Sequence, residues 1–492
     1  MSGGPVPPRL AFVLLALILL LGAGLRFHGL GRESLWNDEL QSQWISDLPM
    51  LSQVVRTALA QDGHPPLHDA ILHFVQKDLG NSEALLRFPS AVAGVLAILA
   101  LFFLGRQLYG TAEALLAAAF LAVLWCPLYY SQEARPYSLL LLAVLLASSF
   151  WVALLRRLSA GRSAGFGLPA AYVACGLACC YLHHFGAGLV ALQAVATALL
   201  LGRRLVSREG RPALAAYAAL LLGYLPGIVY LLRQRRHSQS WAWIAPPDLG
   251  SLVEYLKFLF NYSRTITAVA VVFLAIALVA AWRRPEERRL GPLSPSIFLA
   301  LWLVVPILAA AAVSYLTFPL LTSRNLIVCL PAAYLLVARG FTVVAAGTRL
   351  AALGGTAVLL LLVQLLWSHG YYSRPHKEQF REAVAWVVAE DLPAEASASP
   401  GGAVVLGRAY HAEYFDYYFA RLGSQRRVDL VAGDDASIAA TQALLDRAQP
   451  RRVWLLRGHQ EVGPNLLAFL GRRYALREHL ALLGADVWRF ER

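Results

Sequence analysis

Charged residues are scarce in this sequence. Asp, Glu, Lys and Arg make up 15% of its 492 residues, whereas 58% are hydrophobic. An average soluble domain carries about 25% charged residues, so this composition excludes an ordinary soluble fold. Lysine is almost absent, and Lys77, Lys257 and Lys377 are the only examples. Arginine is abundant instead, which we interpret as a compositional bias and not as a sign of function.

Cysteine is also scarce, and no clear processing site is present. The five cysteines lie in or at the ends of apolar stretches without polar neighbours of the kind that bind metals: Cys126, Cys175, Cys179, Cys180 and Cys329. This pattern excludes a disulfide framework and a zinc cluster. The first apolar stretch lacks a convincing small-residue cleavage site, so we expect an uncleaved anchor and not a signal peptide.

Long apolar runs make up most of the first 370 residues of the sequence. Runs of roughly 17 to 22 residues recur, and each can cross a hydrocarbon core of about 30 Å. They predict about eleven transmembrane helices, near residues 10–30, 84–104, 112–129, 137–155, 168–183, 185–201, 213–232, 265–282, 296–316, 325–338 and 350–367. No internal repeat is found in this part, which disfavours transporters built from duplicated halves.

Arginines predict the orientation. With a cytoplasmic N-terminus, each cytoplasmic connection carries arginine, as the positive-inside rule requires: Arg106; Arg156, Arg157 and Arg162; Arg203, Arg204, Arg208 and Arg211; Arg283, Arg284, Arg288 and Arg289; Arg339 and Arg349. The net charge of +13 comes mostly from these loops. We therefore prefer this interpretation to nucleic-acid binding, and expect a multi-pass protein of the inner (plasma) membrane with membrane lipids around it.

Three extracytoplasmic segments are longer than a minimal connection: residues 31–83, residues 233–264, and the chain after about 368. The first contains two amphipathic stripes, at residues 50–59 and 67–75, which are too short to span a membrane. After residue 370, short β-like runs at 403–406, 427–431 and 453–456 alternate with helical patterns, and a Pro/Ser/Gly linker covers 393–402. We predict a transmembrane domain over residues 1–370 and a small extracytoplasmic α/β domain over residues 371–492.

The first long loop holds the strongest candidate for chemistry. Asp38 and Glu39 follow Leu35-Trp36 directly after a membrane span. A carboxylate in such a partly desolvated position can act as a general base. A solvated acidic loop is the alternative.

Histidines form a second group of candidates. His64 precedes two prolines, which hold it rigidly at the start of a helix, where it either caps the helix or contributes to a metal site with Asp62 and His68. His183 and His184 interrupt an apolar stretch, where histidine is costly enough to indicate a polar partner. A divalent metal ion is left open as a cofactor, and no other cofactor is indicated.

Glu133, Arg135 and Arg324 lie at the same predicted membrane face. Glu133 and Arg135 either pair with each other or contribute to a site shared with Asp38. Arg324 either reaches lipid phosphate at the interface or binds the phosphate of a lipid-linked substrate.

Four motifs, in this order, resemble the bacterial GT-C glycosyltransferases, in the branch similar to protein O-mannosyltransferases and lipid A aminoarabinose transferases. They are Trp36–Glu39, His64–Leu67, Leu86–Ser90 and Ser131–Tyr137. The resemblance covers roughly residues 10–370. His68 departs from it, since relatives commonly carry an aromatic residue there.

The resemblance implies inverting transfer of a sugar from a polyprenyl-phosphate donor to an extracytoplasmic lipid, glycan or protein. It matches Asp38 to the catalytic aspartate, Glu133 to a second acidic position and His64 to the residue before the proline pair. Glu39 is a further catalytic candidate. The candidates for binding the donor phosphate are Arg324, Arg135 and Arg87. The candidates for binding a metal or the substrate are His64, His183 and His184. A general acid is not required, because a polyprenyl phosphate is already a good leaving group.

Two other functions compete with a glycosyltransferase. A transporter or flippase for a lipid-linked substrate predicts ionisable residues near the middle of the spans, whereas almost all lie at span ends. A noncatalytic assembly or sensor protein that presents the C-terminal domain predicts that Asp38 is dispensable. No nucleic-acid partner is expected.

Overall fold

The computed structural model describes residues 6–234, 244–283, 294–317, 319–390, 402–431 and 435–492. Its α-helices, in chain order, are α1 (Pro8–Phe27), α2 (Asn37–Ser46), α3 (Leu51–Gln61), α4 (Leu67–Asp78), α5 (Glu83–Leu108), α6 (Thr111–Val123), α7 (Trp125–Ser131), α8 (Tyr137–Ser159), α9 (Gly167–Leu182), α10 (His184–Leu201), α11 (Arg211–Gln234), α12 (Leu249–Leu259), α13 (Arg264–Arg283), α14 (Pro295–Leu316), α15 (Leu330–Val344), α16 (Gly347–Val363), α17 (Phe380–Glu390), α18 (Glu413–Arg421), α19 (Asp435–Ala448) and α20 (Pro464–Arg473). The strands are β1 (Ala403–Arg408), β2 (Asp429–Leu430), β3 (Arg452–Arg457), β4 (Ala475–Leu480) and β5 (Val487–Glu491).

Within the described residues, nine helices are long and apolar enough to cross a membrane, or ten if the bent pair α6–α7 counts as one span. The predicted count of eleven is therefore not confirmed, although each predicted span coincides with a helix. The shortfall is α9, which has 16 residues. At 1.5 Å per residue it is about 24 Å long, less than the hydrocarbon thickness.

The connection between α9 and α10 is as short as the sequence predicts. His183 is extended, with φ −164°, and it alone separates the two helices. Its Nδ1 accepts a hydrogen bond from the amide of Phe185 at 3.1 Å, which caps α10. A buried polar side chain thus supplies the helix N-terminus with a partner that lipid cannot provide.

A break in the third predicted span is closed by side chains of α1. The axes of α6 and α7 differ by 60°, and the break leaves the last carbonyls of α6 without helical partners. Arg26, which is fully buried, donates from Nη2 to Leu121 O at 2.9 Å and from Nη1 to Ala122 O at 3.1 Å. In return, Gln132 donates to three carbonyls at the end of α1, those of Leu25, Arg26 and His28, at 2.8–3.2 Å. Arg26 of α1 therefore caps α6, and Gln132, the residue after α7, caps α1.

Gly94 of α5 makes room for this arrangement. A Cβ atom at Gly94 would lie 2.8 Å from Nε of Arg26, which already donates to Ser131 Oγ at 3.1 Å. A side chain here would displace the arginine from the helix break.

The chain divides into two compact units. The membrane unit comprises residues 1–28, 50–71 and 87–370, and the C-terminal unit comprises residues 29–49, 72–86 and 371–492. Parts of the first long loop thus belong to the same unit as the C-terminal α/β fold. The predicted amphipathic stripes of that loop are confirmed as the helices α3 and α4.

The C-terminal fold is built on a five-stranded sheet of order β2-β1-β3-β5-β4. Strands β1, β2 and β3 are parallel, while β5 runs antiparallel to both β3 and β4. The three predicted strands are confirmed within a few residues. Strands β4 and β5 were not predicted, because β4 is polar and exposed along most of its length. The predicted Pro/Ser/Gly linker lies almost entirely outside the described residues.

Candidate active site

A buried ion pair forms the centre of the polar cluster in the membrane unit. Arg135 donates from Nη1 to Asp62 Oδ2 at 3.0 Å and from Nη2 to Asp62 Oδ1 at 3.3 Å. Both residues are at least 95% buried. Burial by itself raises the pKa of the Asp62 carboxyl, but Arg135 and His64 outweigh it and hold that pKa well below its usual range. Asp62 is therefore ionised at neutral pH.

His64 completes this ion pair on one side. Its Nδ1 lies 2.8 Å from Asp62 Oδ1 and 2.7 Å from Nη2 of Arg135. A protonated Nδ1 donates to the carboxylate, whereas a bare Nδ1 accepts from the guanidinium, so only one of these hydrogen bonds forms at a time. Burial lowers the pKa of His64, Asp62 opposes that effect, and the net result favours the neutral ring.

Further aromatic and basic groups surround His64. The phenol of Tyr137 lies 3.4 Å from His64 Nε2, and the rings of His64 and His183 are 4.9 Å apart. His183 is 4% exposed. Arg324, in the 3₁₀ helix Ser323–Cys329, is near enough to His64 for its positive charge to disfavour protonation of that ring, which lowers the pKa of His64.

Tyr230 of α11 links His184 to the same cluster. Its hydroxyl donates to Asp62 O at 3.1 Å, and its ring stacks on that of His184 at 6.2 Å. The cluster therefore gathers side chains from the α3–α4 connection, the segment before α8, the α9–α10 junction, α11 and the start of the 323–329 helix.

The segment that carries Glu133 and Arg135 is held from several directions. Gln132 is fixed to the end of α1, and Arg135 O accepts a hydrogen bond from Ser90 Oγ at 3.2 Å. Glu133 is 1% exposed. These contacts give the chain between α7 and α8 a defined path, so that Glu133 and Arg135 are presented by rigid backbone.

Asp38 lies in the C-terminal unit, in the first turn of α2. The electropositive helix N-terminus favours a carboxylate there. Its Oδ1 accepts a hydrogen bond from Asn37 Nδ2 at 3.2 Å. Asp38 is half-buried, whereas its neighbours Asn37 and Glu39 are buried.

Glu39 has a different environment. Its Oε1 lies 3.1 Å from Nζ of Lys377, and both side chains are at least 95% buried. Its Oε2 accepts a hydrogen bond from the amide of Trp36 at 3.4 Å, which closes the first turn of α2. This carboxylate holds the loop together through a charged partner.

The structure brings together some of the predicted site residues and separates others into different units. Four lie in the cluster around Asp62: His64, Arg135, His183 and Arg324; His184 adjoins it through Tyr230. Glu133 is two residues from Arg135, and Arg87 is 1% exposed in the second turn of α5. Asp38 and Glu39 belong to the C-terminal unit. The guanidinium of Arg135 binds Asp62, and a pairing of Glu133 with Arg135, one of the two predicted alternatives, stays a prediction.

Across the described part of the chain, no group of three or more His, Cys, Asp or Glu side chains is arranged to hold a metal ion. We therefore assign no metal site.

Sequence reasoning missed several residues. Asp62 was considered only as a neighbour of His64, and its immediate context, Asp-Gly-His-Pro-Pro, was the available signal. Lys377 was also recognisable, because it is one of only three lysines in a sequence that otherwise uses arginine. Arg26 and Gln132 gave no local signal, because each acts on carbonyl groups about a hundred residues away.

Residues 63–245 match the family model of dolichyl-phosphate-mannose-protein mannosyltransferases. This segment is less than half of the chain, and it contains His64, Glu133, Arg135 and both histidines of the α9–α10 junction. No curated protein has a matching sequence.

Solved structures of membrane proteins share the fold over almost the whole chain. The apo structure of ArnT from Cupriavidus metallidurans matches with a TM-score of 0.55 and 12% identity, covering 97% of each chain. The same protein bound to undecaprenyl phosphate matches with a TM-score of 0.53 and 13% identity, covering 98% of each chain. The oligosaccharyltransferase AglB from Archaeoglobus fulgidus, with an inhibitory peptide and a dolichol-phosphate, matches with a TM-score of 0.51 and 13% identity, covering 90% of this chain and 69% of that one.

These similarities confirm the predicted fold: a multi-span helical membrane protein with a small C-terminal α/β domain. The resemblance that the four motifs predict is confirmed by the family match and by this shared fold.

Proposed function

We propose that the protein is an integral membrane glycosyltransferase that moves a sugar from a polyprenyl-phosphate donor to an extracytoplasmic acceptor, with inversion at the anomeric carbon. The observation that carries the proposal is a polar cluster in which Asp62, Arg135 and His183 are buried and His64 and Arg324 are partly exposed. Ionisable groups buried in a membrane protein are costly, and they usually mark a functional site. A lipid-borne phosphate is a ligand that both needs a membrane-embedded site and binds to arginine.

We assign the donor phosphate chiefly to Arg324. Arg135 is already engaged by Asp62 in a bidentate ion pair, so its charge is largely neutralised. Arg324 is partly exposed at the start of its helix, and its positive charge reaches His64. In this proposal Arg135 and Asp62 shape the subsite. Arg87 stays a proposed phosphate ligand.

The base we propose is Asp38. It is half-buried at a helix N-terminus, oriented by Asn37, and it matches the motif position that the resemblance assigns to catalysis. Glu133 is the proposed second acidic residue. We propose that Glu39 holds the loop, because Lys377 already occupies its carboxylate.

The reaction then proceeds as a single displacement. The acceptor hydroxyl forms a bond to the anomeric carbon as the bond from that carbon to the phosphate oxygen breaks, and the electron pair leaves with the phosphate. The hydroxyl proton passes to Asp38, and arginine stabilises the charge on the departing polyprenyl phosphate. No protonation of the leaving group is needed, since the phosphate monoester is released as an anion.

Mannose is the first sugar to test, because the matched family model is named for dolichyl-phosphate-mannose. Other hexoses and pentoses are the alternatives. AglB was solved with an inhibitory peptide, so we include peptides with lipids and glycans among the acceptors to be tested.

We also propose that the protein lies in the plasma membrane with a cytoplasmic N-terminus and an extracytoplasmic C-terminal domain. Arginines near or just after the C-terminal ends of α5, α8, α10, α13 and α15 support this orientation through the positive-inside rule.

The decisive experiment replaces Asp38 by Asn in the full-length protein reconstituted in liposomes with undecaprenyl-phosphate mannose and membrane-derived acceptors. Asp38→Asn keeps the hydrogen-bonding shape but removes the base, so we expect transfer to fall by roughly 100-fold or more. Thermal stability and donor binding should be unchanged. Full turnover by this variant would rule out Asp38 as the base.

A further inference from the structure

We propose that Lys377 and Glu378, which precede α17 in the C-terminal domain, are positioning residues for the base Asp38. This inference rests on the proposed function, because it presupposes that Asp38 reacts. It gives the C-terminal domain a role in catalysis: its first segment fixes the residues on either side of the reacting carboxylate.

The contact after Asp38 is the ion pair between Lys377 and Glu39. Its Nζ–Oε1 distance is 3.1 Å, and water is excluded from both side chains. A buried pair of this kind is costly to break, because separating the charges would leave each of them without compensation. Glu39 also accepts a hydrogen bond from the backbone amide of Trp36. By holding Glu39, Lys377 therefore stabilises the whole first turn of α2.

The contact before Asp38 comes from Glu378. Its Oε2 accepts a hydrogen bond from the amide of Asn37 at 2.9 Å. This amide is one of the unsatisfied donors at the start of α2, so Glu378 acts as a helix cap supplied from a distant part of the chain. Asn37 in turn donates to Asp38, which makes Glu378 one residue removed from the base.

Further hydrogen bonds between side chains and backbone groups join the same two chain segments. Ser34 Oγ donates to the carbonyl of Glu378, and the amide of His376 donates to Glu33 Oε2 at 3.0 Å. Arg381 donates to the carbonyls of Gly31 and Arg32. Residues 376–381 thus run alongside residues 31–39, and the hydrogen bonds between the two segments hold the loop of Asp38 in its path.

The positioning segment is itself anchored in the α/β fold. Gln379 exchanges hydrogen bonds with Leu483, through N to O at 2.9 Å and through Oε1 to N at 3.0 Å. Nδ1 of His459, which follows β3, lies 2.6 Å from Glu378 Oε1. The turn between β4 and β5 therefore holds Gln379, and the residue His459 after β3 holds Glu378, so the sheet region supports the positioning segment.

The test compares Lys377→Met and Glu378→Ala with their conservative partners, Lys377→Arg and Glu378→Gln, in the reconstituted full-length protein. Glu461→Ala is the matched control, because Glu461 is an exposed glutamate of the same domain. The measured rate is divided by the number of functional protein molecules. That number is obtained from the stoichiometry of undecaprenyl phosphate binding.

We expect Lys377→Met and Glu378→Ala to lower kcat roughly 10- to 100-fold, since small displacements of a reacting group have effects of that size. The donor KM should change by less than about twofold, and the acidic limb of the pH–rate profile should move. A folding defect would scale that profile without moving it. Lys377→Arg and Glu378→Gln should restore much of the rate, and Glu461→Ala should match the wild type.

Two outcomes separate failure of this inference from failure of the proposed function. Full activity of Asp38→Asn would remove the base and the inference with it. An inactive Asp38→Asn variant beside wild-type kcat and an unmoved pH profile in Glu378→Ala would overturn the inference alone. Glu378→Ala decides the matter even if Lys377→Met does not fold, because the Glu378 side chain is partly exposed and removing it strands no buried charge.

Discussion

The membrane unit contains the buried Asp62–Arg135 ion pair and the C-terminal unit contains the buried Glu39–Lys377 pair, and the two pairs differ in their surroundings. In the membrane unit, the Asp62–Arg135 pair lies among histidines and a second arginine, which come from three separate elements. In the C-terminal unit, Glu39 of the Glu39–Lys377 pair follows Asp38, a half-buried carboxylate, in the first turn of α2. The first arrangement is suited to binding an anion, because positive charge exceeds negative charge there. The second is suited to presenting Asp38 as the proposed base, because Lys377 holds the neighbouring carboxylate of Glu39 in place.

The largest effect should follow from breaking the first pair. Asp62→Ala leaves Arg135 buried without its carboxylate, and we expect a loss of about 3–5 kcal/mol in the free energy of unfolding, together with loss of activity. Thermal unfolding in lipid nanodiscs measures this, with Asp446→Ala, from an exposed pair with Arg473, as the control. Arg135→Met combined with Asp62→Ala should recover part of the loss. An unchanged midpoint for Asp62→Ala would show that the pair is not structural.

A smaller and more selective effect should follow from removing the second arginine of the cluster. Arg324→Ala should weaken undecaprenyl phosphate binding roughly 10- to 100-fold, because a charge-assisted hydrogen bond to phosphate is lost. Arg349→Ala, at an exposed position near the start of α16, is the control. Unchanged donor affinity in Arg324→Ala would remove its assignment to the phosphate.

The connection that carries Glu133 and Arg135 can be loosened without touching either residue. Gln132→Leu leaves three carbonyls at the end of α1 without this donor, and we expect a loss of about 1–2 kcal/mol. Activity should fall more than stability, because the segment before α8 is released. Equal activity of Gln132→Leu and wild type would show that α1 does not position this segment.

The smallest effect concerns pH. The pKa of His64 is lowered on folding, so the unfolded chain binds a proton that the folded chain resists. The stability contribution is complete above the unfolded value of about 6.5, and it is lost as pH falls from there toward the folded pKa. His64→Gln should reduce the slope of the unfolding midpoint against pH in this window. Asp62 acts in the same direction at lower pH, below about 4, where its carboxylate becomes protonated in the unfolded chain.

Several parts of the candidate site were accessible from sequence because their signals are local. His64 is marked by the prolines that follow it, and Asp38 by its place directly after a membrane span. The roles of Glu39 and Arg135 were not accessible, since they depend on partners that lie 338 and 73 residues away. The nearest candidate partner for Arg135 in the sequence is Glu133, yet the guanidinium binds Asp62.

The sequence by itself determined that the protein spans a membrane many times, where its helices lie, and which short motifs interrupt them. These properties follow from hydropathy and residue order, which act over one or two helical turns. Only the tertiary structure decided which charged groups are paired, that Arg26 caps α6 while Gln132 caps α1, and that residues 376–381 run alongside the loop of Asp38. A buried charge or an uncapped helix end requires a partner, but its chemistry specifies only the kind of partner. The fold selects which residue supplies it.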